Sequence, residues 1–153
     1  MEMVKRAIQN YKYFSLELYE VENEEVSYSY KTMQHFQSVY PEHDFYFIIG
    51  ADSLFSIERW VKPELLFKTC TILAAYRDGK ETSEMLSQIH YLMSKYKCDI
   101  RLLNTPDMDV SSSEIRKRIK KGLPIAGLVP KSVAEYIEEQ QLFKDDENES
   151  IKN

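Results

Sequence analysis

Two short, continuously apolar segments constrain the fold of this chain more than any other feature. Phe45–Ile49 ends at Gly50, and Thr71–Tyr76 ends at a turn sequence that begins with Arg77. Apolar runs of this length, closed by turn residues, are typical of strands buried on both faces of a parallel sheet. Because the sequence between them is too long for a hairpin, we expect two parallel strands joined by a crossover.

Helical patterns separate these strands and continue after them. The sequence predicts helices over 1–9, Ser29–Tyr40, Pro63–Cys70 and 85–96, and from about Ser112 and about Pro130 or Ser132. Further strands are predicted at Phe14–Val21, where apolar and polar residues alternate, and at Ile100–Leu103. This alternation of strands and helices predicts an α/β protein with a parallel sheet and helices on both faces.

The charge balance and the length of the apolar runs exclude several classes of protein. With 20 basic and 25 acidic side chains and a net charge of -5, the chain has no general attraction for nucleic acid. This acidic balance argues against a nucleic-acid-binding module that uses Arg116–Lys121. The apolar runs are far shorter than a membrane span, and residues 1–6 do not resemble an export signal. We expect a cytoplasmic protein without a membrane segment, in which Cys70 and Cys98 are reduced core thiols.

Several residues with polar or aromatic chemistry follow the predicted strands, at the edge where parallel sheets bind ligands. Gly50 would let a ligand or another backbone approach the end of its strand closely. Asp52 has two interpretations: its carboxylate accepts hydrogen bonds from ribose hydroxyls, or it caps a helix that begins at Ser53. Trp60, the only tryptophan, either stacks on a heteroaromatic ring or packs at the edge of the core.

A helix start in the last third of the chain combines a cap with positive charge. Ser111 and Glu114 have the spacing of a capping box. The free N–H groups of such a helix start, together with the side chain of Arg116, can bind a chain of phosphates. For Arg118 and the neighbouring lysines a solvated basic face is the preferred interpretation.

Three ordered motifs resemble those of a known enzyme family. They are Val26–Met33, Ile48–Leu54 followed by Trp60, and Val110–Arg116. Together they resemble bacterial nicotinate-nucleotide adenylyltransferase, from about Met1 to Phe143. The resemblance implies a Rossmann-like nucleotidyltransferase domain over 1–143, followed by a polar tail over 144–153.

That family joins ATP to nicotinate mononucleotide, forming deamido-NAD and releasing pyrophosphate, with Mg²⁺ accompanying the ATP. The resemblance implies the same substrates here, no nucleic-acid partner, and leaves a homo-oligomer open. It places the mononucleotide at Tyr28, Ser29, Gly50, Asp52, Trp60, Val61 and Arg77, and the ATP phosphates at Ser112, Ser113 and Arg116. In this assignment Trp60 stacks on the nicotinate ring, and backbone N–H groups near Ser29 and Val61 bind its carboxylate. Gly50 and Asp52 contact ribose, Arg77 faces the mononucleotide phosphate, and Ser113 replaces the usual threonine.

One family motif has no counterpart in this sequence. The family opens with a strand and a Gly-Gly-Thr-Phe-Asp-Pro-x-His-x-Gly-His loop, whose histidines stabilise the ATP phosphates. By comparison roughly fifty residues are absent, about two strand-and-helix units. We therefore expect an exposed gap in the sheet and impaired activity of the 153 residues alone, and we assign no catalytic residue or metal ligand. The alternative function is a non-catalytic nucleotide-binding remnant, or a fragment completed by a partner.

Overall fold

The structure, a computed structural model, describes residues 1–23, 26–76, 82–106 and 110–144. Two compact units make up the chain. The first, here called the terminal unit, consists of Met1–Glu17 and Met108–Asn153, and the second, the sheet unit, consists of Leu18–Asp107. Arg77 and the tail from residue 145 onward lie outside the described residues, so the predictions made for them stay predictions.

Strands and helices alternate through the sheet unit. The strands are β1 Tyr46–Gly50, β2 Thr71–Tyr76 and β3 Ile100–Asn104. The helices within the described residues are α1 Glu2–Ile8, α2 Tyr19–Glu22, α3 Ser29–Val39, α4 Ala51–Ser56, α5 Pro63–Thr69, α6 Thr82–Tyr96, α7 Ser112–Lys120 and α8 Lys131–Glu139. A short 3₁₀ turn, Ile57–Arg59, follows α4. Most elements begin and end within two residues of the predicted bounds.

The three strands form one parallel sheet in the order β1-β2-β3. The register pairs Ile49 with Ala74, and Ala74 with Leu102. Each crossover contains a helix, as parallel pairing requires. The prediction of a parallel α/β sheet is therefore confirmed.

The core of the sheet unit covers one face of these strands. The buried strand residues are Ile49, Ile72, Ala74 and Ile100, which lie on the same face. They pack with residues that are fully buried on the helices and on the 3₁₀ turn, including Leu54, Ile57, Leu66, Met85 and Leu92. On the opposite face Ile48 is 63% exposed. The expectation that β1 is buried on both faces is therefore wrong, because a continuous apolar run does not show which face is covered.

The predicted strand at Phe14–Val21 is also wrong. Among the described residues no strand pairs with this segment, and α2 begins within it at Tyr19. Phe14 is 64% exposed, whereas the ring of Tyr19 stacks on His35 with 3.8 Å between the ring centroids. An alternating pattern predicts a strand only where a neighbouring strand is available for hydrogen bonding. The contact with α3 therefore outweighed the local pattern.

The terminal unit contains a smaller core formed by helices from distant parts of the sequence. Ile119, Val133 and Ile137 are buried there, and Met3 packs against them. The Ser132 hydroxyl donates a hydrogen bond of 2.9 Å to the carbonyl oxygen of Arg6. The helix α1 is thereby attached to α8, and the helices predicted at both ends of the chain are confirmed.

Both cysteines are half-buried free thiols, as the sequence predicts. Burial raises the pKa of Cys70 to about 11. Burial also raises the pKa of Cys98. The neutral thiol is therefore the stable form of both side chains at physiological pH.

Candidate functional site

A concave pocket in the sheet unit brings together several of the residues singled out from the sequence. Its volume is about 270 Å³. We call it the aromatic pocket, and its lining consists of Ser27, Tyr28, Ser29, Tyr30, Arg59, Trp60, Val61, Pro63 and Leu66. Four of these residues, Tyr28, Ser29, Trp60 and Val61, are those that the family resemblance places around one substrate ring.

Two helix starts build the walls of this pocket. Tyr28 is extended and precedes α3, which begins at Ser29. On the other side Lys62 adopts a left-handed conformation, with φ of 52°, before α5 begins at Pro63. Proline suits the first position of a helix because that position needs no N–H donor. This sharp turn directs the chain from the 3₁₀ turn into α5 and leaves Trp60 and Val61 at the pocket.

Aromatic rings form the sides of the pocket. The rings of Tyr28 and Tyr30 are stacked, with 6.1 Å between the ring centroids and an interplanar angle of 22°. The indole of Trp60 contacts the ring of Phe47 edge to face, with 6.3 Å between the ring centroids and an interplanar angle of 83°. This contact supports the indole from the core side, and the remaining surface of the half-buried ring lines the pocket. Such walls suit a flat, single-ring aromatic ligand.

The electrostatic character of the pocket favours a negatively charged ligand. Its described lining includes one basic residue, Arg59, and no aspartate or glutamate. The ammonium group of Lys62 lies 5.4 Å from the centre of the Tyr30 ring. In addition, no side chain caps the start of α3, so that first-turn N–H groups remain available as donors. An aromatic ring that carries a carboxylate matches both the walls and the charge of this pocket.

A polar cluster beside the pocket was missed from the sequence. It consists of Glu58, Tyr91, Lys95 and Tyr96, and joins the 3₁₀ turn to α6. The hydrogen bond from Lys95 holds the pKa of Glu58 below its ordinary value, and the same bond raises the pKa of Lys95. Desolvation, reinforced by the hydrogen bond to Glu58, raises the pKa of Tyr96. The signals in the sequence were weak: an acidic residue two positions before Trp60, and a Tyr–Lys pair at helical spacing.

Asp52 does not cap the helix that follows β1. The helix begins at Ala51 rather than Ser53, and Gly50 takes the N-cap position with an extended backbone. Asp52 thus lies in the first turn, exposed, and within the described part of the chain its carboxylate has no hydrogen-bond or ion-pair partner. The capping interpretation of Asp52 is wrong, and the carboxylate is available to a ligand. A Cβ placed on Gly50 would meet no atom within 4 Å, so protein packing does not require glycine there.

The motif that begins α7 lies in the terminal unit. The Ser111 hydroxyl accepts a hydrogen bond of 3.1 Å from the backbone N–H of Glu114, which confirms the capping half of the predicted box. Ser112, Ser113 and Arg116 lie exposed in the first two turns of the helix.

Arg118 has a structural contact in the same unit. Its Nε donates a hydrogen bond of 3.0 Å to the carbonyl oxygen of Pro124. The side chain of Arg118, for which a solvated basic face is predicted, therefore binds the loop that follows α7. Arg118 differs in this respect from Arg116, for which no partner is found among the described residues.

Among the described residues, no group of three or more histidine, cysteine, aspartate or glutamate side chains lies close enough together to hold a metal ion. None of the described helices combines the length and the apolar composition that crossing a membrane requires.

Comparison with known proteins places these residues in a family. The cytidylyltransferase-like family matches residues 1–118. A solved structure with the same fold is the nicotinic acid mononucleotide adenylyltransferase of Plasmodium falciparum, described as complexed with APC, with a TM-score of 0.67 and 22% identity. The match covers 93% of this chain and 73% of that one. Another structure of the Plasmodium protein is described as complexed with NaAD.

Relatives with higher sequence identity have consistent names. A "probable nicotinate-nucleotide adenylyltransferase" of Lachnoclostridium phytofermentans is 40% identical over 135 residues, which cover 88% of this chain and 68% of the relative. A protein of the same name from Clostridium botulinum is 33% identical over 145 residues, covering 95% and 72%. The chain therefore belongs to the cytidylyltransferase-like family and, within it, to the nicotinate-nucleotide adenylyltransferases.

Proposed function

We propose that this protein joins ATP to nicotinate mononucleotide, forming deamido-NAD and pyrophosphate. The observation that carries the proposal is the aromatic pocket, in which Tyr28, Ser29, Trp60 and Val61 meet. Its aromatic walls and positive lining fit a pyridine ring that carries a carboxylate. Family membership supports the same substrate.

The reaction requires positioning more than covalent chemistry. A phosphate oxygen of the mononucleotide attacks the α-phosphorus of ATP, a new P–O bond forms, and the bond to the β-phosphate bridging oxygen breaks. Pyrophosphate leaves with that electron pair. Because the enzyme forms no covalent intermediate, its residues contribute by orienting the reactants and by stabilising charge.

Each predicted site residue has a proposed role in this scheme. Trp60 stacks on the pyridine ring, Tyr28 and Ser29 lie beside its carboxylate, and backbone N–H groups there and at Val61 bind that carboxylate. Gly50 and Asp52 contact ribose, and the exposed Asp52 carboxylate supports this. Arg77 faces the mononucleotide phosphate. Ser112, Ser113 and Arg116 bind the ATP phosphates, as the available N–H groups and positive end of α7 support.

The proposed metal is the Mg²⁺ that accompanies ATP. The described residues offer no cluster of carboxylates that would hold it on the protein. Mg²⁺ commonly takes most of its oxygen ligands from substrate phosphates and water, so this donor set is compatible with a substrate-borne ion. We therefore assign no residue of the chain to the metal.

A second candidate function is binding of the nucleotide without turnover. The observation that favours it is that the described residues form a pocket suited to the mononucleotide ring, whereas none of them is assigned to the transfer step itself.

One pair of measurements tests both candidates. The purified chain is mixed with ATP, Mg²⁺ and nicotinate mononucleotide, and deamido-NAD is quantified by chromatography while calorimetry measures mononucleotide binding. Turnover supports the adenylyltransferase, and binding without turnover supports the second candidate. No binding at millimolar mononucleotide would refute both. Nicotinamide mononucleotide is the matched control ligand, since it keeps the ring and lacks the carboxylate.

A further inference from the structure

The polar cluster around Glu58 lies next to the pocket without lining it. Glu58 belongs to the 3₁₀ turn Ile57–Arg59, and the next three residues, Arg59, Trp60 and Val61, all line the aromatic pocket. Its partners lie on α6, away from the pocket lining. The cluster is therefore placed to act on the pocket through the backbone of this segment.

The contacts of Glu58 converge on one oxygen atom. Oε1 accepts hydrogen bonds from the Lys95 ammonium at 2.6 Å, the Tyr96 hydroxyl at 3.2 Å and the Tyr91 hydroxyl at 3.4 Å. The Lys95 ammonium also donates to the Tyr91 hydroxyl at 3.1 Å. Three donors that approach from different directions hold a carboxylate in one place more firmly than a single ion pair does.

The helix that carries the partners is packed into the core of the sheet unit. Met85 and Leu92 of α6 are fully buried in the core of the sheet unit, and Ile89 is 4% exposed. Tyr91 and Lys95 are one helical turn apart, so they present their polar ends side by side. A contact with α6 therefore fixes the position of Glu58 relative to the core.

The segment that follows Glu58 needs such support. Ile57 and Pro63 are buried at its two ends, whereas Arg59 and Val61 are exposed between them. Trp60 is extended, and its backbone N–H donates to the carbonyl oxygen of Ile57 at 3.1 Å. Its indole has the edge-to-face contact with Phe47 on the core side. A small rotation of the 3₁₀ turn would move the indole relative to the pocket.

We propose that Glu58, anchored by Lys95 and the two tyrosine hydroxyls, is a positioning residue that fixes the indole of Trp60 at the aromatic pocket. The affinity for the pyridine ring then depends on a side chain that does not touch it. This second statement rests on the proposed function. The position of Trp60 can be measured without any substrate.

The test compares Glu58→Gln with a matched control, Arg101→Gln. The control breaks an exposed pair of the same kind in the same unit, since the Arg101 guanidinium contacts Asp99 at 2.6 Å and neither residue lines the pocket. Because Trp60 is the only tryptophan, its fluorescence reports on this segment alone. We expect Glu58→Gln to increase acrylamide quenching of Trp60, and Arg101→Gln to leave it unchanged.

Binding gives the second readout. We expect Glu58→Gln to raise the Kd of nicotinate mononucleotide about two- to fivefold, the range that an exposed charge pair provides, while Arg101→Gln leaves it unchanged. Reversing the pair, with Glu58→Lys and Lys95→Glu together, should restore both quenching and Kd. Unchanged quenching in Glu58→Gln, or an equal change in Arg101→Gln, overturns the inference. Failure of the wild-type protein to bind the mononucleotide would instead refute the proposed function, and quenching would still decide whether Glu58 positions Trp60.

Discussion

Removing the indole of Trp60 is the most direct perturbation of the aromatic pocket. Trp60→Ala deletes a wall of the cavity and leaves the other eight lining residues in place. If the pyridine ring stacks on this side chain, the substitution should weaken binding of nicotinate mononucleotide. It should leave binding of ATP unchanged, because the residues proposed for the ATP phosphates belong to the terminal unit.

The expected magnitude follows from how much of the indole is available. Stacking of a base on an aromatic side chain is worth about 1–3 kcal/mol by alanine substitution. The indole of Trp60 already contacts Phe47 on its core side. We therefore take the lower part of the range, about 1–2 kcal/mol, which corresponds to a Kd about 5- to 30-fold higher. Trp60→Phe, which keeps a smaller ring, should fall between the wild-type protein and Trp60→Ala.

Isothermal calorimetry measures this change, because fluorescence is lost with the only tryptophan. Phe55→Ala is the matched control: it removes a 44% exposed aromatic ring from α4, and Phe55 does not line the pocket. Denaturation curves confirm that each variant is folded at the temperature of the titration. If Trp60→Ala binds the mononucleotide as tightly as the wild-type protein does, the indole does not stack on the ring and the substrate assignment of the pocket is refuted.

Three further predictions concern stability. Leu54→Ala, at a fully buried position in α4, should lower the free energy of unfolding by about 2–5 kcal/mol in a urea titration, and an unchanged midpoint would contradict the described core. Ser111→Ala should cost about 1 kcal/mol because the N–H of Glu114 loses its acceptor, whereas Ser111→Asp should retain most of the stability. The Cys70 thiol, with a pKa raised from 9.0 to about 11, stays protonated in the folded protein after the unfolded chain has ionised. The free energy of unfolding should therefore fall as the pH rises from about 9 to about 11. Cys98 and Tyr96, whose pKa values are also raised, add to this fall, so a smaller decline in a Cys70→Ser variant than in the wild-type protein, in parallel urea titrations, would confirm the contribution of Cys70.

Local sequence patterns, which depend only on residues close together in the sequence, predicted most of the fold. The strands at Tyr46 and Thr71 followed from continuous apolar runs, and the helix that begins at Pro63 followed from its proline. The errors arose where a contact between distant residues decides the structure. The stacking of Tyr19 on His35 makes the alternation before it irrelevant, and no local pattern shows it.

The residues of the candidate site also differ in whether the sequence could predict them. Tyr28 and Trp60 were assigned to one substrate ring by family resemblance, and the structure brings them together in one cavity. Residue spacing alone left Trp60 as either a packing or a stacking residue. Neither spacing nor resemblance pointed to Glu58, because its importance lies in partners more than thirty positions later, on α6.

The pairing of α1 with α8 has a consequence for the order of events during synthesis. The hydrogen bond from Ser132 to the carbonyl of Arg6 spans 126 positions, which at roughly 5–20 residues per second takes about 6 to 25 seconds to translate. During that interval α1, a helix of 7 residues, is too short to be stable alone. The sheet unit is continuous in sequence and can fold as it emerges, whereas Met3 and its apolar neighbours must wait for α8. A nascent chain stalled before α8 would therefore present a folded sheet unit and an unfolded α1 segment whose apolar side chains, Met3 and Ala7, have no core to pack against.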